Sequence, residues 1–197
     1  MKNIKLWHGD CLDIMKGLDE NSVDVIITDP PYDFNRDQIN EFQFEMRRVC
    51  KEKILVFSPP ENQWYPSTLD NIQYHFWIKP ISTKNTRKNP SRFVEIAQVE
   101  GDGIWNYGRH WSQYTNVHTD IIEYNKNHPY RKPISLIRRF ILNYTNPDYV
   151  VLDPFMGSGT TGEGCVQLGR TFYGIEQNET YFNLAGNNIK NEIKKTK

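Results

Sequence analysis

From Tyr149 the chain reads YVVLDPFMGSGTTGEGCVQLG: a short β-branched run, a turn carrying Gly157, Gly159 and Gly162, then a helix-forming stretch. A strand that turns through glycine straight into a helix is half of a βαβ unit, and such units build parallel sheets with helices on both faces. The rest of the chain keeps this rhythm. Apolar runs suited to strands lie at Ile4–Trp7, Val23–Thr28, Ile54–Ser58, His75–Ile78, Phe93–Val99, Tyr149–Asp153 and Thr171–Glu176. Helical spacing lies at Asp37–Cys50, Ile134–Tyr144, Gly159–Leu168 and Thr180–Lys194. In the helix from Ile134, the residues Ile134, Ile137, Ile141 and Leu142 make a core-facing stripe. The alternation predicts an α/β fold around a mostly parallel, seven-stranded sheet.

The length of 197 residues suits one domain, 1–197, with a sizeable core. No apolar run is long enough to span a bilayer, and no charged-then-apolar signal opens the chain, so a cytoplasmic protein is expected. Cys11, Cys50 and Cys165 are odd in number and scattered, which fits partly buried thiols in a reducing compartment and makes no zinc site. Twenty-four basic residues balance 24 acidic ones, which argues against indiscriminate electrostatic binding to nucleic acid but leaves room for a local basic face.

Gly157, Gly159 and Gly162 satisfy GxGxxG, a pattern that is weak alone. No Lys-Ser/Thr pair follows the glycines, so a Walker A loop is excluded. The next strand ends in Glu176, about 20 residues on, where a carboxylate can accept hydrogen bonds from ribose hydroxyls. A nucleoside is therefore expected here, and both a dinucleotide and S-adenosylmethionine use this geometry. The helix start at Gly159–Thr161 suits a pyrophosphate or a carboxylate. Asp153 would repel the former and pair with the amino group of S-adenosylmethionine, which tips the reading towards that cofactor.

The strand Val23–Thr28 runs into Asp29, Pro30, Pro31 and Tyr32. Two prolines stiffen the loop and present carbonyls outward. A carboxylate and a carbonyl held there can accept both protons of an exocyclic amine, while Tyr32 offers a flat face to a base. Such acceptors stabilise the positive charge that grows on an amine as it attacks a methyl sulfonium.

With DPPY, LDPFMGSGTT and GRTFYGIEQNETYFNLAGNNI in hand, the sequence resembles the amino-DNA methyltransferases, which modify adenine N6 or cytosine N4 with S-adenosylmethionine. DPPY precedes the glycine loop, which is similar to the circularly permuted, or beta, order of that family. GDCLDIMKGLDENSVDVIITDPPY and HPYRKPISLIRRFI extend the resemblance to about 60% of the chain. It implies a Rossmann-like methyltransferase sheet in which the first strand neighbours the last. It implies Asp10, with Cys11 beside it, near the cofactor adenine, and Lys132 and Pro133 near the methionine part. Phe155, Gly157, Ser158, Gly159, Thr160 and Thr161 flank the cofactor on the same mapping, and Asp29 to Tyr32 form the base pocket. Asp at the first position of DPPY leans towards adenine. Cytosine C5 chemistry is disfavoured, since it needs a cysteine nucleophile and none of the three cysteines follows a proline.

Between Thr83 and Asn127 the alternation breaks, and the stretch 83–127 reads as an inserted target-recognition segment. Lys84, Arg87, Lys88 and Arg92 suit phosphate contact, and Asn106, Arg109 and Gln113 suit base edges amid Trp105, Tyr107, Trp111 and Tyr114. His110 and His118 read as surface or packing residues rather than catalysts. A target amine inside a duplex must be flipped out to reach such a pocket. DNA is the expected partner, with a homodimer and a partner endonuclease compatible with the resemblance. The alternatives are a cytosine-N4 enzyme, a methyltransferase acting on RNA or a protein amide, an NAD-dependent oxidoreductase, and a DNA-binding module without activity.

Overall fold

The computed structural model describes residues 3–58, 72–79, 94–102, 116–121 and 131–196. In chain order the elements are β1 (Ile4–His8), α1 (Cys11–Lys16), β2 (Val23–Thr28), α2 (Arg36–Val49), β3 (Cys50–Ser58), β4 (Gln73–Ile78) and β5 (Val94–Glu100). There follow β6 (Val117–His118), α3 (Ile134–Tyr144), β7 (Val150–Asp153), α4 (Thr160–Leu168), β8 (Thr171–Glu176) and α5 (Glu179–Lys195). The strands form one sheet in the order β1-β8-β7-β2-β3-β5-β4-β6. The run from β1 to β3 is parallel, β5 is antiparallel to both its neighbours, and β6 pairs parallel with β4.

The α/β sheet agrees with expectation, with two differences. It has eight strands rather than seven among the described residues, because Val117 and His118 add a two-residue edge beside Phe76 and Trp77. Helix α1 carries only six residues, too few for its periodicity to be read, and it forms because Asp10 caps it. The first strand does lie beside the last, with Ile4 opposite Phe172 and His8 opposite Glu176. Strands β5 and β6 fall within 83–127, so part of that stretch belongs to the sheet.

Local chemistry fixes the helix ends. At α2, Asn35 and Gln38 each accept the other's backbone N–H at 3.0 Å, a reciprocal capping box. Asp37 in its first turn and Arg47 and Arg48 in its last complement the helix dipole. Gly169, with φ of 70°, closes α4 in the left-handed conformation that glycine adopts without strain.

Two apolar layers sandwich the sheet. Val25, Ile27, Leu55, Val151 and Phe172 face one way, onto the layer that holds Leu136, Ile137, Phe140 and Ile141 of α3 together with Cys165 of α4 and Ile189 of α5. Ile26, Ile54, Val56, Leu152 and Ile175 face the other way, onto the layer of Cys11 and Met15 of α1 and Phe42, Met46 and Val49 of α2. Burial of each such side chain contributes ~1.5–3 kcal/mol. The three cysteines are all buried and carry no disulfide.

A directional chain of hydrogen bonds ties α3 to the edge strands. Arg139, which only donates, bonds His118 Nδ1 at 3.0 Å. His118 Nε2 therefore carries the hydrogen and donates to His75 Nδ1 at 3.1 Å. His75 Nε2 in turn donates to the Tyr144 hydroxyl at 2.6 Å, and Tyr144 donates to Gln73 Oε1 at 3.3 Å. Both histidines are buried, and His118 also packs on the Phe140 ring, the packing role expected of it. Burial is the main force pushing their pKa values down, to about 3 for His75 and about 4 for His118.

Candidate active site

The chain leaves β7 through α4 towards β8 on one side of the sheet order, and leaves β2 through α2 towards β3 on the other. The carboxyl ends of the adjacent strands β7 and β2 therefore form a switch point, where open α/β sheets bind ligands. Here Asp29 follows β2 and Asp153 closes β7, and a cavity of about 960 Å³ opens above them.

One rim of the cavity is the glycine turn. Gly157 has a φ of 51°, and its N–H donates to Glu176 Oε2 at 3.0 Å. The other oxygen of Glu176 accepts from Asn178 N at 2.8 Å. Glu176 thus holds the turn and the start of α5 together, with its carboxylate in the cavity wall. Gly159, at a φ of 86°, packs so closely on α5 that a Cβ would lie 3.0 Å from that of Ala185. Gly162 meets Ile189 and Phe172 in the same way, so these two glycines serve the packing of helix on strand.

Asp153, which closes β7, lines the cavity floor. Its Oδ1 accepts from Thr28 Oγ1 at 2.8 Å and Phe155 N at 3.1 Å, and its Oδ2 accepts from Thr161 Oγ1 at 2.7 Å. The carboxyl is buried, and burial raises its pKa to about 6 against the lowering effect of the threonine bonds. Through these bonds it joins β2, β7 and α4.

Asp10 accepts from Leu12 N at 2.9 Å and Asp13 N at 3.3 Å, capping α1, and Cys11 is buried at that helix start. Asp10, Cys11, Phe155, Gly157, Ser158, Thr160 and Thr161 all line the cavity. Pro133, buried as the N-cap of α3, and Gly159 do not line it. Phe155 packs with Phe34 and Phe42 at centroid distances of 5.7 and 5.2 Å, an aromatic wall on the side of α2.

The opposite rim is Asp29 to Tyr32, with Pro30 buried and Pro31 exposed. Tyr32 donates its hydroxyl hydrogen to Asp29 Oδ1 at 3.0 Å. Lys132 donates to Asp29 Oδ2 and lies 3.0 Å from Glu95 Oε2. Lys132 therefore sits on the DPPY carboxylate. Burial raises the pKa of Asp29, Lys132 pulls it down and Glu95 pushes it up, and the net direction is upward. Burial works against the charge on Lys132, but Asp29 and Glu95 more than offset it, and its pKa is raised. Glu95 and its second partner Lys79 also line the cavity and were not anticipated. Their only signal in the sequence is charge inside an apolar strand, in FVEIAQV, and just after one, in FWIK.

Lys84, Arg87, Lys88, Arg92, Asn106 and Arg109 lie outside the described residues, as do Gln113 and His110. Among the described residues, no helix is long and apolar enough to cross a membrane.

The profile of the N6/N4 DNA methylase family matches residues 49–187. The chain belongs to this DNA methylase family. The matched stretch holds the glycine turn, Asp153 and Glu176, whereas Asp29 to Tyr32 precede it. Among curated proteins, this DNA methylase is 28% identical to the DNA adenine methyltransferase YhdJ of Escherichia coli, over 90% of this chain and 80% of the relative. It is 25% identical to the type II methyltransferase M2.MboI of Moraxella bovis, over 93% of this chain and 86% of the relative. The solved M1.HpyAVI–SAM complex superposes with a TM-score of 0.71 at 25% identity, covering 94% of this chain and 98% of that one. The PvuII DNA methyltransferase, described as cytosine-N4-specific, shares the fold at a TM-score of 0.73 and 15% identity, covering 99% of this chain and 93% of that one.

Proposed function

We propose that this DNA methylase transfers a methyl group from S-adenosylmethionine to the N6 amine of adenine in DNA. The observation that carries the reading is that Asp29 and Tyr32 stand on one rim of the cavity while Gly157 and Glu176 stand on the other. An amine acceptor and a nucleoside cradle then face one space.

The donor set fits that cofactor. Glu176 keeps acceptor capacity for ribose hydroxyls beyond the two backbone bonds it makes, and Gly157 leaves room that a side chain would fill. The volume falls within the range of small-molecule sites, roughly 300–1,000 Å³. S-adenosylmethionine supplies a methyl group on a sulfonium when bound. Asp29 accepts a hydrogen of the target amine and faces the positive charge that grows on nitrogen as it bonds to the methyl carbon. Tyr32 orients the Asp29 carboxylate and offers its ring to the flipped base. No covalent enzyme intermediate is needed.

The relative named a DNA adenine methyltransferase and the Asp at position 29 both support adenine over cytosine. In this reading DPPY precedes the glycine turn as a circular permutation, and 1–197 acts as one catalytic domain in the cytoplasm. Lys84, Arg87, Lys88 and Arg92 contact phosphates, while Asn106 and Arg109 read base edges. A homodimer and a partner endonuclease go with the reading, and sedimentation and co-purification respectively check them.

The decisive experiment incubates the protein with methyl-labelled S-adenosylmethionine and unmethylated genomic DNA, followed by mass analysis of the nucleosides. Label in N6-methyladenine is expected. Label in N4-methylcytosine would keep the chemistry and change the base, and unlabelled DNA would overturn the reading.

A further inference from the structure

Four charged side chains of alternating sign lie along the carboxyl edge of the sheet. Asp29 follows β2, and Glu95 stands on β5, whose antiparallel course brings its start to the edge where β3 ends, with Ser58 opposite Ile96. Lys132 bridges the two carboxylates across β3, with its ammonium 5.2 Å from the centroid of the Phe57 ring. Lys79, just beyond β4, grips the far oxygen of Glu95 and lies 5.1 Å from the Trp77 ring centroid. Lys132 and Glu95 are both buried, at 8% and 9% side-chain exposure, so water does little to screen them.

Nothing in the proposed chemistry requires a buried glutamate there, and an uncompensated one would be costly. Its placement explains it. During transfer, positive charge moves onto a nitrogen held against Asp29. A lysine bound to Asp29 alone would cancel the field the reaction needs. With Glu95 on its other side, Lys132 divides its charge between two carboxylates. Lys132 favours the ionised form of Asp29, and sharing its charge with Glu95 leaves Asp29 net negative character towards the amine. Lys79 in turn keeps Glu95 ionised.

We propose that Glu95, anchored by Lys79, is a positioning residue that shares the charge of Lys132 and thereby tunes the Asp29 carboxylate for methyl transfer. The inference rests on the function proposed above. Among the described residues, the charged or titratable groups around Asp29 are Tyr32 on its own loop, Lys132 from the segment before α3, Glu95 from β5 and Asp153 from β7. Lys79 acts through Glu95.

Lys132 and Glu95 pull on Asp29 in opposite senses, which gives a test that general damage to the site would not mimic. Lys132→Met removes a cation, so Asp29 takes up its proton more readily, and the acid limb of the kcat profile should move up by about one pH unit. Glu95→Gln removes an anion, so the limb should move down by a similar amount. At the pH optimum, kcat in that variant should fall about tenfold with the KM for S-adenosylmethionine within about twofold, because Lys132 now opposes the growing charge undivided. Carbon-13 carboxyl NMR of the ligand-free protein, with Asp29 assigned through Asp29→Asn, should show its midpoint moving in the same two directions. Lys79→Met, which removes the cation that keeps Glu95 ionised, should lower that midpoint as Glu95→Gln does, and serves if Glu95→Gln does not fold. Midpoints that stay put, or move the same way in Lys132→Met and Glu95→Gln, would overturn the proposal. Absence of methyl transfer by the wild-type protein would instead overturn the functional reading, and the NMR titration tells the two failures apart.

Discussion

Thr28 Oγ1 donates to Asp153 Oδ1 at 2.8 Å, joining the last residue of β2 to the last residue of β7 where the strand order reverses. The bond is buried and spans the floor of the cavity, so it sets the separation of the two rims. Thr28→Val, which keeps the shape and removes the donor, should cost about 1–3 kcal/mol in denaturant unfolding. The cost should depend on pH. Burial raises the native pKa of Asp153 to about 6, above an ordinary carboxyl, so stability from its protonated form is present at low pH and is lost as pH rises through 6. Without Thr28 the ionised form loses a donor, and the penalty should be larger at pH 7 than at pH 4. Equal penalties would place the bond outside the control of that charge.

Asp29→Ala should reduce methyl transfer by at least about a thousandfold, since the acceptor facing the developing charge is gone. Binding of S-adenosylmethionine, followed by calorimetry, should survive within severalfold, because the glycine turn and Glu176 lie on the other rim. Turnover at the wild-type rate would sink the assignment of Asp29.

The glycines should separate binding from packing. Gly157→Val puts a side chain into the cavity wall at a φ of 51° and should weaken cofactor affinity by more than about tenfold. Gly162→Ala would place a Cβ 2.4 Å from Ile189 Cδ1 and 2.7 Å from Phe172 Cε1, and should cost about 1–3 kcal/mol of stability. Its cofactor Kd should be unchanged. The reverse pattern would mean that the cavity is assigned to the wrong glycine.

His75 and His118 should both remain neutral, with the hydrogen on Nε2, at pH 5. Their native pKa values are pushed well below that of an exposed histidine, so the unfolded chain binds their protons first. Each then removes roughly 1.4 kcal/mol of stability per pH unit as pH falls below about 6.5. Long-range nitrogen–proton NMR correlations of the imidazoles read the tautomers directly. An imidazolium signal from either ring at pH 5 would break the proposed chain from Arg139 to Gln73.

The parts of this molecule legible in the sequence are those governed by local periodicity. The β-branched run at Val23–Thr28 and the strand–glycine–helix at 149–168 announce themselves because each carries its pattern within a few residues. Helix α1 was missed because six residues give less than two turns, and the capping bond of Asp10 is what defines it. The partners of Asp153, Lys132 and Glu95 are out of reach of the sequence for another reason. Thr28 and Asp153 are 125 positions apart, and Lys132 and Asp29 are 103 apart. Whether a carboxylate is open or already satisfied depends on partners that only the fold brings near. Glu95 reads in sequence as one polar residue in an apolar strand, and only the antiparallel course of β5 shows where its charge points.

The pairing of β1 with β8 has a consequence for how the chain is made. His8 bonds the carbonyl of Gln177, 169 positions further along, and among the described residues β1 has no neighbour in the sheet but β8. At ribosomal rates the emerging β1 waits on the order of ten seconds or more for its partner to be synthesised. During that wait its backbone is an unpaired strand, open to any other edge. Lys5, near its middle, puts a charge there of the kind that discourages edge-to-edge association. The cavity rim at Asp10, which follows directly from β1, is then among the last parts of the site to set, and the nascent protein is complete as a binder only when β8 meets β1.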